Sequence, residues 1–143
     1  MTVTVQTALT AVTASTCRLR DATRELELIA VEDRPRRSDV QLVDVVHNAA
    51  FELSGAAESA VRAALRGDVA TCQEHVTRLG EILVRDLAAP DRLADLGALG
   101  HRRGREAGAW AGEVIRCVHT CQRTLWVDVQ PAVLAYWREL AAR

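Results

Sequence analysis

Apolar residues recur at intervals of three and four along nearly the whole chain, and no run alternates apolar with polar residues as a strand would. Leu9, Val12, Thr16, Leu19, Thr23, Leu26 and Ala30 form one such stripe and predict a first helix over about Thr7 to Val31. The segment from Glu32 to Arg37, which contains Pro35, ends it. Ser38 offers an N-cap with Gln41 as its capping-box partner. The second helix then places Val43, Val46, Ala50, Leu53, Ala57, Ala60 and Ala64 on one face. Gly67 suits the C′ position, where a left-handed backbone closes a helix, and Asp68 suits the next N-cap.

A third helix is expected over about Val69 to Ala88, with Cys72, Val76, Leu79 and Leu83 inward, until Ala89-Pro90-Asp91 stops it. A fourth, about Asp91 to Ala107, is weakened by Gly97, Gly100 and Gly104, since each interior glycine costs about 1 kcal/mol relative to alanine. Gly100, Gly104, Gly108 and Gly112 recur every four residues, and we expect the helix to break at Gly108. A long fifth helix follows, about Ala109 to Val129, with Val114, Val118, Cys121 and Leu125 on one face. Pro131 fits the first turn of a last helix ending near Ala142. The pattern therefore predicts one all-α domain over residues 1–143, a bundle of five or six helices with short connections.

Composition narrows the function. The formal net charge is -1, so the whole chain offers no electrostatic footprint for nucleic acid. All eighteen basic residues are arginine, which reads as the codon bias of a GC-rich, actinobacterial genome. No apolar run approaches a membrane span, and the N-terminus has no basic region ahead of an apolar stretch. The expected location is the cytoplasm, with the four cysteines as free thiols.

Cys117-Val-His-Thr-Cys121 is the first candidate metal site. On a helix, four residues turn through about 400°, so the two cysteines share a face while His119 lies on the other side. Zinc also needs further ligands, and both cysteines flank Val118 as small core residues. Of the histidines, His47 is the best haem candidate, one residue off the inner stripe with Phe51 at i+4, but a half-buried structural role is the expectation. No nucleophile elbow, phosphate loop, dinucleotide fingerprint or Glu-x-x-His pair occurs, so no catalytic, cofactor-binding or metal residue is assigned and no cofactor is expected. The basic run Arg102-Arg-Gly-Arg105 reads as a solvated face, with an anion or partner contact as the alternative. Four of the five aromatic residues, Trp110, Trp126, Tyr136 and Trp137, fall in the last third, which marks either the main packing seam or an anchor-rich contact surface. We take the seam as the expectation.

One segment carries a resemblance. Leu99-Gly-His-Arg-Arg-Gly-Arg-Glu-Ala-Gly108 is followed by Glu113-Val-Ile-Arg116 and then Gln122-Arg-Thr-Leu-Trp126. This resembles the N-terminal sensor domains of stressosome co-antagonist proteins and the related domains of purine-catabolism-type transcription regulators. The shared pattern is a helix ending in Gly108, then a helix bearing Val114, Ile115 and Arg116, with Arg123, Leu125 and Trp126 in register beyond it. Where that family has proline two residues after the glycine, this chain has Trp110, and Val118-His119 stands for its usual Tyr-Arg. The resemblance spans residues 97–127. It implies a globin-like bundle without haem that dimerises and passes a signal to a protein partner. Trp110, Arg116, Arg123, Trp126 and Trp137 are then the interface or ligand-contact candidates. A second reading is a catalytic or small-molecule-binding bundle with an apolar pocket near Trp110 and Trp126; a third is a haem or metal protein.

Overall fold

A computed structural model describes residues 4–30 and 36–143. The expected loop around Pro35, and the end of the first helix at Val31, lie outside the described residues. What remains is all-helical: α1 (Val5–Ala30), α2 (Arg37–Leu65), α3 (Val69–Ile82), α4 (Pro90–Arg103), α5 (Arg105–Arg123) and α6 (Gln130–Ala141). Two π turns, Leu83–Leu87 and Thr124–Val129, extend α3 and join α5 to α6. None of these helices is long and apolar enough to cross a membrane.

Several boundaries follow the expected chemistry. Gly67 adopts φ +73°, a conformation that only glycine enters cheaply. Asp68 caps α3, accepting from the Thr71 amide at 3.1 Å and the Thr71 hydroxyl at 2.7 Å. Those bonds favour its charged form, the hydroxyl most, and hold the carboxyl below its usual range.

Other boundaries differ. The helix α2 begins at Arg37, so Ser38 lies in its first turn and Arg36 occupies the N-cap with no side-chain bond. The break expected at Gly108 falls at Gly104, where φ is +100°. Gly108 is an interior residue of α5. The shift has a packing cause. Placing the turn at Gly104 brings Gly100 of α4 against Gly108 and Ala111 of α5. A Cβ on Gly100 would lie 3.0 Å from the Gly108 Cα and 2.8 Å from the Ala111 Cβ. Two glycines thus serve one close helix crossing, and the third makes the corner.

Pro131 stands in the first turn of α6 as expected, but α6 is reached without a break. The Gln130 amide bonds to the Leu125 carbonyl, five residues back. A proline ring clashes with the carbonyl four residues before it, here Val127. Widening the preceding turn to five-residue bonding accommodates the ring while the helix continues.

The core is aliphatic. Leu9, Leu19, Leu26, Leu53, Leu79 and Leu125 are fully buried, and alanines line α2 between them. None of the aromatic residues is in the buried set, which overturns the expectation that they form the packing seam. Cys117 and Cys121 are buried on α5 while His119 is exposed, as helical geometry required. Burial pushes the Cys121 thiol up to about 12 and raises Cys72 as well. Cys117 is also raised, by burial first and then by Glu113.

Candidate functional site

An open groove of about 1080 Å³ lies between α3 and α6. Each wall is the flank of a π turn. One wall is Gly80, Val84 and Arg85; the other is Trp126, Pro131 and Leu134. Isolated π turns occur often at functional sites, because one extra residue per turn redirects side chains that a regular helix would align. Here Leu83 and Leu87 go inward while Val84 faces out, and Leu125 and Val129 go inward while Trp126 and Val127 face out.

The groove's apolar residues are not marginally exposed. Trp126 keeps 41% of its surface, Leu134 51% and Val84 59%. Trp137 follows Leu134 by three residues on the same outward side of α6 and keeps 40%. A continuous apolar strip thus runs from the second π turn along α6. Gln73, Thr77, Glu81 and Gln130 supply polar edges. The lining contains no histidine and no cysteine.

The candidate residues separate. Trp126 is in the groove and Trp137 continues its strip. Trp110 is half-buried against the core from the other half of α5; sixteen residues of helix set it about 24 Å from Trp126. A pocket shared by Trp110 and Trp126, which the alternative small-molecule reading supposed, is therefore not formed among the described residues. Arg116 is exposed and pairs with Glu113 on its own helix. It borders a small hollow with Ser15 and Arg18 of α1. Arg123 is exposed, with no acid partner among the described residues. Among the described residues, no group of three or more His, Cys, Asp or Glu side chains is placed to hold a metal ion.

Two features went unread in the sequence. The first is the groove wall itself. Its signal was present as apolar doublets, Leu83-Val84, Trp126-Val127 and Val133-Leu134, which widen the apolar face beyond what core packing needs. The second is Asp39, 2% exposed in the first turn of α2. It accepts from Arg102 Nη2 at 2.6 Å and from Arg103 Nε at 3.1 Å. Arg103 Nη2 is buried without a partner among the described residues. The basic run is therefore not simply a solvated face: two of its arginines clamp α4 onto α2. His47 is half-buried, with its ring between Thr23 and Glu27 of α1.

Comparison with known proteins gives this site no precedent: no protein-family model, no curated protein and no solved structure matches the chain.

Proposed function

We propose that the chain is a non-catalytic regulatory module that works as a homodimer, joined through the α3–α6 groove and the strip of α6, and that it relays a signal to a protein partner. The observation that carries this reading is the placement of Trp126 and Trp137 outside an otherwise aliphatic core. A half-exposed tryptophan beside exposed Leu134, Val127 and Val84 is surface that folding alone leaves uncovered. Tryptophan is also the residue most enriched among interface anchors.

The areas agree. With side chains of this size, the five residues expose on the order of 500 Å² of apolar surface per protomer. A standard interface buries about 800 Å² per partner, a little under 60% of it apolar, which needs about the same amount. Glu81 on the groove rim and Arg138 on α6 are exposed and oppositely charged, so a second copy can match them across a two-fold axis. The resemblance of residues 97–127 to sensor domains that dimerise points the same way, with Trp126 as its anchor.

Light scattering on the purified chain tests the proposal. The expected particle has twice the 15.6 kDa protomer mass, and Trp126→Ala with Trp137→Ala returns it to one protomer with helicity intact. A particle of protomer mass at about 1 mM chain, where even a weak pair with a millimolar Kd is substantially formed, overturns it.

A further inference from the structure

The inner face of α5 carries two thiols that the function proposed above does not use. Cys117 and Cys121 lie four residues apart, and both are free and buried, at 7% and 0% exposure. Residues at that spacing on a helix set their Cβ atoms about 5–6 Å apart. A disulfide needs about 3.8 Å, so closing one would require α5 to unwind. A metal ion bonded on both sides needs its two sulfurs roughly 4.6 Å apart, twice a metal–sulfur bond of about 2.3 Å. Rotation about the two Cα–Cβ bonds reaches that separation on an intact helix. Burial raises both thiols, and the next cause at Cys121 is Cys117 itself, so the sulfurs are close enough to feel one another. The other two cysteines stand singly: Cys17 faces Ser54 at 3.9 Å, and Cys72 is on α3.

The surroundings narrow the choice of ion. His119 is exposed on the far side of α5, and no third His, Cys, Asp or Glu converges on the pair among the described residues. Zinc takes four ligands in a structural site and finds too few here. Copper(I) accepts two sulfurs in line, and thiolates are the soft ligands that select it. Val114, Val118 and Leu125 on the same face are fully buried, a dry setting that keeps oxygen ligands from water away. Cys117 also lines a hollow of about 80 Å³ with Arg18, Glu113 and Arg116, which gives an ion a way in. The charges match. Two thiolates and one monovalent ion carry one net negative charge. The hollow's single carboxylate, Glu113, is paired with Arg116, which leaves Arg18 for the complex. Arg18 already favours the ionised form of both sulfurs, against the burial that raises them.

We propose that Cys117 and Cys121 together hold one copper(I) ion in linear two-sulfur coordination on the inner face of α5. Two S–H bonds break, two S–Cu bonds form, and both protons leave to water, the Cys117 proton by way of the Glu113 carboxylate that already accepts from its thiol at 3.7 Å. Copper stays in the +1 state throughout. Titration of the reduced full chain with copper(I), under argon with ascorbate and against the chromogenic chelator bicinchoninate, tests this. The expected result is one copper retained per chain. X-ray absorption of the loaded chain should show two sulfur neighbours and no nitrogen or oxygen ligand. Cys117→Ala and Cys121→Ala should each lose the retained copper, with helicity by circular dichroism kept. A chain carrying Cys17→Ala and Cys72→Ala together should retain one copper with unchanged affinity, and zinc(II) should wash off the unaltered chain on gel filtration. No retained copper, retention that survives Cys117→Ala or Cys121→Ala, loss in the Cys17→Ala and Cys72→Ala chain, a third ligand in the absorption spectrum, or zinc held as firmly as copper overturns the assignment.

Discussion

The α4–α5 corner and the α3–α6 groove treat their side chains in opposite ways. At the corner a carboxylate and a guanidinium are taken out of water, and two glycines let backbones meet. At the groove, tryptophan, leucine and valine are left in water. A corner of that kind is expensive to disturb, because a buried carboxylate and its partners depend on one another and a close crossing has no slack. A groove of that kind is cheap to disturb within the protomer, because its residues make few contacts there. The difference separates the part of the molecule that holds the fold from the part left over for something else.

The sharpest way to break this comparison is at Asp39. Replacing it with alanine leaves Arg103 largely buried with no counter-charge. We expect a loss of about 3 kcal/mol in urea unfolding, at the low end for a broken buried pair because Arg102 is partly solvated. A loss below 1 kcal/mol would mean that the corner is not the stabilising region. Gly100→Ala should cost about 1–2 kcal/mol, since overpacking against Ala111 and Gly108 outweighs the gain in helix propensity. On the helix joining the two regions, the Cys121 thiol is held protonated to about 12 in the fold, whereas in the unfolded chain it ionises near 9. The unfolded state therefore loses its proton first, so stability falls as pH rises from about 9 towards 12. One proton corresponds to about 1.4 kcal/mol per pH unit at most, and part of that slope should vanish in Cys121→Ala.

Smaller effects sharpen the contrast. Gly97→Ala on α4, three residues before Gly100, meets open space. It should stabilise the chain by up to about 1 kcal/mol in thermal melts, the opposite sign from its neighbour. Leu134→Ser in the groove should shift protomer stability by no more than about 0.5 kcal/mol at chain concentrations too low for association. A larger loss would place Leu134 in the core.

Local chemistry was readable from the chain. Gly67 and Asp68 make a helix-to-helix corner out of adjacent residues, and the core stripes of α2, α3 and α5 follow from spacing alone. Long-range choices were not readable. Gly104 and Gly108 are equally able to end a helix, and the decision belongs to the packing of Gly100 against α5. Asp39 looked like an ordinary first-turn acid, and only Arg102 and Arg103, more than sixty residues away, bury it. The aromatic cluster was visible but its side was not. The fully buried set is aliphatic, with Trp110 half-buried against it and Trp126 and Trp137 outside. Of the tryptophans singled out, Trp126 lines the groove and Trp110 does not, because periodicity does not measure the length of helix between them.

An aliphatic interior with its tryptophans outside also decides what light reports. Trp126 and Trp137 sit in partly aqueous surroundings in the folded protomer, so their emission responds when something covers α6, whereas Trp110, half-buried against the core, responds when the helices melt. With Trp110 replaced by Phe, fluorescence becomes a gauge of contact at one face, and circular dichroism remains the gauge of folding.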